Sequence, residues 1–495
     1  MRKLTKKSVK KPSKKSVKKF NIKNEFNNII IKNTTNSKME FQLTQEDKNI
    51  IREYFPSKNE DSIQCFSKLL IRDLSLKMKP IITFDNIQNN SYINYEEDCS
   101  KKNMGLHIGQ RKLLLNEIQF LTLCNKVKNN PKYCIYAGSA PGNKTYLLSQ
   151  LFPDVKFILI DPNIFNLLIY ESNNITKNHR NVKNPNIIHL YSGYQYSGNK
   201  YNDNLENKKI TSLPKLQQNK LINFIIESDY KIFIIEDYMS NEFAELFKLL
   251  PVCSFISDIR SNVKLHSYPS DFDIVWNMTM MFNWINILEP EVSVFKFRTP
   301  FYNDGILDFN QFKHIFGDTF EVCKKFGIDF IENYNKKIFK VVKSVLYLQP
   351  WKGPTSTEMR SVIYKNDIIT KNFIDCDIKN IENTLFYYNK IARLLYHTNN
   401  NADRKIHFCN CNDCAIENDI WVNYFKLNID QSVIKTVHDA VIITDLVTQR
   451  TLSSSHNNNI WKPLQNLQQF KEMYNRQNKS SSYKSKLNEK GNKGM

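Results

Sequence analysis

Tyr133-Cys-Ile-Tyr-Ala-Gly-Ser-Ala-Pro-Gly-Asn-Lys-Thr145 is the stretch on which the fold turns. An apolar run leads straight into Gly138-Ser139-Ala140-Pro141-Gly142, and a helical pattern of Tyr146, Leu147, Leu148 and Leu151 follows. Strand, glycine turn and helix N-terminus make a place where backbone can approach a nucleotide-like ligand without Cβ interference. About 20 residues on, Phe157-Ile-Leu-Ile-Asp161 reads as a second buried strand ending in a carboxylate, the placement that holds a ribose in Rossmann-type sheets. Three ligands compete for the turn. Gly138 and Gly142 lack G-x-G-x-x-G spacing, which counts against a dinucleotide. Lys144-Thr145 suits a phosphate loop, but Asn143 replaces its second glycine and Pro141 removes an amide donor. S-adenosylmethionine has no phosphate to cradle and still wants the acid of strand two. An ordinary tight βα turn is the bland alternative.

Working outward, Gly109-Gln110-Arg111-Lys112 precedes an apolar helix, and Lys231-Ile-Phe-Ile-Ile-Glu236 reads as a strand followed by a helix over 240–250. Phe255-Ile-Ser-Asp258-Ile-Arg260-Ser261 ends the next strand, Val292–Phe301 forms another, and Ser356-Thr357-Glu358-Met359-Arg360-Ser361 opens one more. Alternation of this kind predicts an α/β, doubly wound, mainly parallel sheet, with ligands beyond the carboxyl ends of the strands. Gly138, Asp161 and Asp258 all fall at such ends. Residues 164–228, rich in Asn, Lys and Tyr, read as an insertion, and 40–90, with helical stretches at 46–54 and 65–76, as an N-terminal helical addition.

Composition points to a polyanionic partner, since the 495 residues carry a net charge of +21. Eleven Lys and Arg precede the first acid, Glu25, and Lys-Lys-Ser-Val-Lys-Lys occurs at 6–11 and again at 14–19. Residues 1–39 therefore read as a disordered basic arm, and 466–495, Lys/Ser/Asn-rich from 476, as a basic C-terminal tail. The sequence shows no signal-peptide pattern and no bilayer-spanning segment, and ten cysteines without such a signal suit a reducing compartment. His407-Phe-Cys409-Asn-Cys411-Asn-Asp-Cys414 offers soft ligands for zinc in a spacing that no standard finger uses; an exposed loop with incidental cysteines is the alternative reading.

These motifs, together with Tyr387-Tyr-Asn389-Lys-Ile391, resemble one known family in order and wording. It is the poxvirus-type cap-specific mRNA (nucleoside-2′-O-)-methyltransferase, which doubles as poly(A) polymerase regulatory subunit, and this chain looks like a giant-virus homologue. The likeness covers roughly residues 91–450, so the methyltransferase domain is expected over 91–465. It implies a Rossmann-like fold, S-adenosylmethionine as cofactor and capped mRNA as substrate. It also implies a poly(A) polymerase catalytic subunit as partner, a cytoplasmic viral replication site with virion packaging as a further option, and no secretion or membrane.

The family's Lys-Asp-Lys-Glu tetrad maps onto Lys112, Asp258, Lys296 and Glu358. The methyl group of a sulfonium is already activated, so the enzyme must position the ribose hydroxyl and remove its proton. Lys296 would be the general base, kept neutral by burial and by the cations Lys112 and the sulfonium, while Asp258 and Glu358 restrain that shift. Each tetrad member also has an ordinary explanation: Lys112 as a surface residue at a helix start, Asp258 as a cap. Lys296 in an apolar strand is harder to dismiss. The resemblance also carries Gln110, Tyr136, Gly138, Gly142, Asp161 and Ile235 to the cofactor, with Asn163 where the family has Arg. For the cap it supplies Tyr95 and Phe301 as stacking planes for a cationic ring and Glu382 as an acid, with Asn303 in place of a second acid. Arg298, Ser356, Thr357 and Glu358 complete the substrate side. Methylation of internal riboses, or non-catalytic RNA binding, would share parts of this set.

Overall fold

The computed structural model describes residues 81–83, 94–95, 109–171, 174–178, 184–192, 210–212, 214–261, 269–301, 321, 324–325, 329–352, 356–390, 412–428, 440 and 444. All of them belong to one unit, Met78–Met495. The expected basic arm at 1–39, the tail at 466–495 and the helical stretches at 46–54 and 65–76 lie outside the described residues.

In chain order the strands are β1 (Ile81–Thr83), β2 (Tyr133–Ala137), β3 (Lys156–Ile160), β4 (Leu167–Glu171), β5 (Asn174–Asn178), β6 (Ile187–Ser192) and β7 (Ile232–Glu236). They continue with β8 (Cys253–Ser257), β9 (Val292–Phe297), β10 (Ile338–Val342), β11 (Val345–Tyr347), β12 (Met359–Tyr364) and β13 (Phe373–Asp377). The helices are α1 (Gly109–Cys124), α2 (Thr145–Leu151), α3 (Lys215–Glu227), α4 (Asn241–Phe247) and α5 (Asp271–Leu288). Beyond them come α6 (Phe330–Asn335), α7 (Lys365–Ile369), α8 (Ile378–Lys390) and α9 (Asn412–Asn428).

Among the described residues nine strands form one sheet in the order β1-β11-β12-β9-β8-β2-β3-β7-β6. From β9 to β6 neighbours run parallel, whereas β12, β11 and β1 close the other side antiparallel. β2, β7 and β8 are buried along their whole length, and β3 along all but its first residue. That burial is why β2, β3 and β7 read as largely apolar runs and not as alternating ones, while β8 buries Ser254 and Ser257 as well. The chain leaves β2 toward β3 and later returns to β8 on β2's other flank. The crevice at such a reversal is where a mainly parallel, Rossmann-like α/β sheet takes its ligands.

Several expectations are corrected in detail. Part of 164–228 belongs to the sheet, because β6 pairs with β7 as its edge strand. α3 is tied down as well: Lys156 Nζ on β3 donates to the carbonyls of Ile225, Ile226 and Ser228 at 2.9, 2.8 and 2.6 Å, closing that helix end. Within the expected helical addition at 40–90, Ile81–Thr83 is a strand paired with β11. The strand expected over 292–301 stops at Phe297, ahead of Thr299-Pro300, where proline removes a ladder donor. The helix expected over 240–250 is the shorter Asn241–Phe247, started by a Ser240 cap that accepts from the Phe243 amide at 3.4 Å. α5, by contrast, starts with a full capping box between Ser270 and Asp273.

Candidate active site

The glycine turn sits at the carboxyl end of β2, wedged between the ends of β3 and β8. Gly138 N–H donates to the Ile160 carbonyl at 2.9 Å, and Asp258 N–H donates to the Ala137 carbonyl at 3.0 Å. Gly138 has φ +76°, and a Cβ there would lie 2.9 Å from the Ile259 nitrogen; Gly142 has φ +67°, and its Cβ would lie 2.9 Å from Phe165 Cδ1. Both glycines are therefore required by the protein's own packing, and the space a side chain would take is filled by protein and not by a ligand. Asp161 braces the same turn. Its Oδ2 accepts from the Ala140 amide at 3.1 Å, and its Oδ1 accepts from both Asn163 N and Asn163 Nδ2 at 2.9 Å. Asn163 thus holds the acid in place.

Beneath the turn lies a cluster that the sequence did not announce. Lys144 pairs with Glu117 at 2.9 Å, and the Tyr136 hydroxyl donates to Glu117 at 2.5 Å. Burial raises the Glu117 carboxyl above its ordinary range, against the pull of Lys144. Tyr136 and Ile235 are 2% and 0% exposed, so in this conformation both are core side chains. Gln110 is half-buried in the first turn of α1. Ser139 Oγ and Thr145 Oγ1, flanking the turn, are buried without hydrogen-bond partners. Such orphaned hydroxyls at a switch-point crevice suit a polar cofactor.

Lys112, Asp258, Lys296 and Glu358 come together next to the turn. Lys112 Nζ lies 2.7 Å from Glu358 Oε1, and Lys296 Nζ lies 3.5 Å from both Asp258 Oδ1 and Glu358 Oε2. Arg360, which the sequence reading quoted in its motif without giving it a role, donates from Nη2 to Asp258 Oδ1 at 2.8 Å and from Nε to Gln349 Oε1 at 3.1 Å. Gln349 also accepts from Asn116 at 2.9 Å and donates to the Glu358 carbonyl at 3.0 Å, tying α1 and β12 to one frame. Next to Lys112 on α1, Arg111 donates to Glu417 of α9 at 2.6 and 2.8 Å, and Trp351 Nε1 donates to the same carboxylate at 2.8 Å. That buried fork fixes the helix start that carries Gln110 and Lys112.

Charge state follows from this crowding. Burial depresses the Lys296 ammonium; Asp258 and Glu358 oppose the shift, and Arg260 and Arg360 reinforce it. The helping cations are thus two arginines, since Lys112 is committed to Glu358. Burial alone would raise both carboxyls, but Arg360, Lys296 and Lys112 bring Asp258 well below its ordinary range. Lys112, Lys296, Arg360 and Arg260 do the same for Glu358.

A second, aromatic locus lies where β9 ends. The Tyr95 and Phe301 rings are 5.4 Å apart and tilted by 40°, and Tyr95 meets Phe386 of α8 edge-on at 5.1 Å. Tyr95 N–H donates to Asn383 Oδ1 at 2.8 Å, and Phe301 N–H donates to Asp271 Oδ1 at 2.9 Å. Arg298 lies over the Phe301 ring at 4.1 Å. Glu382, on α8, is buried and adds to the field on Arg298. Clamping a third ring needs two contacts of ~3.5 Å, a spacing of about 7 Å, so the pair must part and flatten to admit one. Ser356 Oγ accepts from the Glu358 amide at 3.2 Å, its carbonyl accepts from Asn389 Nδ2, and Thr357 is buried beside it. Asn303, His407, Cys409 and Cys411 lie outside the described residues, and Cys414 falls on α9. Among the described residues no group of three potential metal ligands gathers, and no helix is long and apolar enough to cross a membrane.

The family model described as "Poly A polymerase regulatory subunit" matches residues 76–199 and 217–460. The chain is also 26% identical, over 238 residues, to the "Cap-specific mRNA (nucleoside-2'-O-)-methyltransferase" of Fowlpox virus (strain NVSL). That alignment takes in 47% of this chain and 59% of the relative, so the chain spans about three-fifths of the length of the curated protein it matches.

Proposed function

The chain belongs to the poly(A) polymerase regulatory subunit family, and from that premise we propose that it is an S-adenosylmethionine-dependent cap methyltransferase. Its substrate is the ribose 2′-oxygen of the first transcribed nucleotide of N7-methylguanosine-capped mRNA. The observation that carries this reading is the cluster of Lys112, Asp258, Lys296 and Glu358 at the carboxyl ends of β8 and β9, with a depressed Lys296 ammonium at its centre. Bound S-adenosylmethionine would supply an activated methyl group on a cationic sulfur. Gln110 and Asp161, with the hydroxyls of Ser139 and Thr145, are the groups that would hold it, and Gly138 and Gly142 shape the turn beneath.

Lys296 would take or steer the proton of the attacking hydroxyl. A depressed ammonium reaches its neutral form nearer working pH, and the two carboxylates at 3.5 Å keep its nitrogen in one place. Arg360 orients Asp258, and Lys112 orients Glu358, so the lysine sits in a frame that need not reorganise during reaction. Tyr95 and Phe301 would stack on the cationic cap base while Glu382 accepts from its N1–H or its exocyclic 2-amino group. The net charge of +21 and the basic arm would draw RNA to the cleft from solution.

The family description favours a second role beside the first, as a regulatory subunit partnering a poly(A) polymerase catalytic subunit. One assay separates the readings: methyl transfer from radiolabelled S-adenosylmethionine to RNAs that differ only in the cap. Transfer to the first-nucleotide ribose of N7-methyl-capped RNA alone is the expected result. Transfer to uncapped RNA at equal rate would point to internal riboses. No transfer, with retained stimulation of a polymerase, would leave the regulatory role standing alone.

A further inference from the structure

The Phe301 ring stands outside the sheet, so its place is set by something other than a strand ladder. β9 ends at Phe297, and Arg298-Thr-Pro-Phe301 carries the chain on to the ring. Asp271, the first residue of α5, supplies the hold. Its Oδ1 accepts from Phe301 N–H at 2.9 Å, and its Oδ2 accepts from the hydroxyl of Tyr334 on α6 at 3.2 Å. Tyr334 is 0% exposed, so the second bond ties the carboxylate to the core. Asp271 also attracts the Arg298 guanidinium, which lies over the Phe301 ring at 4.1 Å. One carboxylate thus grips both ends of the segment, by charge at 298 and by a hydrogen bond at 301. Pro300 fixes φ between them and leaves the backbone little freedom. Burial pushes the Asp271 carboxyl up, while the Phe301 amide, the Tyr334 hydroxyl, Arg298 and Lys337 hold it down.

The carboxylate is itself on a fixed mount. α5 begins with the Ser270–Asp273 capping box and runs for 18 residues, with Ile274, Val275, Met281 and Ile285 at 0% exposure. Asp273 Oδ1 accepts from Ser261 Oγ at 3.1 Å, and Asn277 Oδ1 accepts from Ser261 N–H at 2.9 Å. Ser261 follows Asp258 by three residues, so the same helix start also secures the segment that leaves β8. A side chain anchored this way can serve as a stationary reference for a binding surface.

We propose that Asp271 is a positioning residue for the aromatic locus: it holds the Phe301 face at the height and tilt that recognise a cationic base, and so helps to discriminate N7-methylguanine from guanine. The assignment of the base rests on the cap reading above. A gap of about 0.5–1 Å already forfeits a quarter to a half of a dispersion contact, and cation–π attraction needs the charge over the ring face. A Phe301 released from Asp271 loses stacking for either base, and loses the charge-dependent part for the methylated base alone.

The test titrates the full chain with N7-methylguanosine and with guanosine; the ratio of the two dissociation constants is the preference for the methylated base. Asp271→Ala should shrink that preference roughly fivefold. Affinity for S-adenosylmethionine serves as the check on folding. Asp271→Asn should keep most of the preference, because its amide oxygen still accepts from Phe301 N–H. Tyr334→Phe should fall between the two, since it loosens the carboxylate and leaves its bond to Phe301. A purely structural Asp271 would lower the melting temperature and leave the preference alone, and that result in a folded Asp271→Ala protein overturns the proposal. Equal losses in Asp271→Asn and Asp271→Ala overturn the hydrogen bond as the means. If Asp271→Ala does not fold, Tyr334→Phe carries the comparison: a reduced preference sustains the proposal and an unchanged one overturns it. Should the parent show no preference for N7-methylguanosine, the cap reading has failed. Amide hydrogen exchange over residues 298–301 then tests the hold by itself: faster exchange in Asp271→Ala or Tyr334→Phe sustains it, and equal exchange overturns it.

Discussion

Replacing Arg360 by Gln should move the pH dependence of methyl transfer toward alkali. Arg360 is the direct cross-strand partner of Lys296 in the β12–β9 ladder. Opposed Cβ atoms of that kind lie about 5 Å apart, which puts the two charged heads on the order of 6 Å from each other. At an effective dielectric near 20, two like charges at ~6 Å repel by about 3 kcal/mol, worth ~2 pH units of titration; water in the cleft reduces this to about 1. The sign follows from the ammonium. Without the neighbouring cation the charged form of Lys296 is less disfavoured, its titration rises, and less of it is neutral at any given pH. Asp258, released from its 2.8 Å bond, pulls on Lys296 harder and adds in the same direction. The assay is kcat against pH with a saturating capped oligonucleotide, and the activating limb should rise by ~1–2 pH units. Arg360→Lys, which keeps the charge, should return the limb toward its original place. An Arg360→Gln protein that turns over with an unmoved limb would refute the electrostatic account of Lys296.

Lys296→Ala should abolish methyl transfer while leaving cofactor and cap affinity nearly intact, and Lys296→Arg should fail too, because a guanidinium stays protonated; parent-like turnover by the Arg variant removes Lys296 as base. Phe301→Ala should weaken N7-methylguanosine binding by about 1–3 kcal/mol, with a smaller effect on guanosine; equal losses for both in a titration would make Phe301 merely structural. Gly138→Ala forces a side chain into φ +76° and against the Ile259 backbone. The conformation alone costs about 1–2 kcal/mol, so melting temperature should drop by about 1–2 degrees for a unit of this size, and an unchanged melt would contradict the packing described. Asp258 and Glu358 both titrate below their ordinary values of 3.8 and 4.5. Their stabilisation is therefore complete above about pH 5 and fades as pH falls, so Asp258→Asn should flatten the acid loss of melting temperature between about pH 5 and pH 3.

How legible the fold was depended on how each element is buried. β2, β3, β7 and β8 are covered on both faces, so the first three are apolar runs broken only at an end by Lys156 or Glu236, and β8 keeps Phe255 and Ile256 between two buried serines. β6 lies at the sheet edge, and its Ile-Ile-His-Leu-Tyr-Ser mixes polar and apolar residues as an edge strand can. α3 buries little beyond Ile222 and Ile225, so its sequence reads as polar linker, and it is held by the Lys156 ammonium on its last carbonyls. A lysine bond from another strand leaves no periodic trace. The run from Val292 looked like strand through Phe301 because Phe301 brings back an apolar residue after Arg298-Thr299, and only Pro300 marked the stop.

The site divides along a similar line. Lys112 and Glu358, 246 residues apart, meet at 2.7 Å, and nothing local in either segment announces the other; the family order of the motifs made the pairing legible. Arg360 was read in its motif, two residues after Glu358, without a role, because that role depends on the antiparallel register that sets it opposite Lys296. Pairing register is a tertiary fact, and no period within β12 encodes it. The glycines were legible for a reason that proved incomplete. A turn rich in glycine invites a ligand in principle, yet at Gly138 the approaching group is the backbone of residues 258–259. On the proposed chemistry that approach matters, because it sets the position of Asp258, hence of Arg360 and Lys296, relative to the end of β2. A side chain at 138 would therefore disturb the charge cluster through the backbone of 258–259, even though Gly138 itself carries no chemical group toward it.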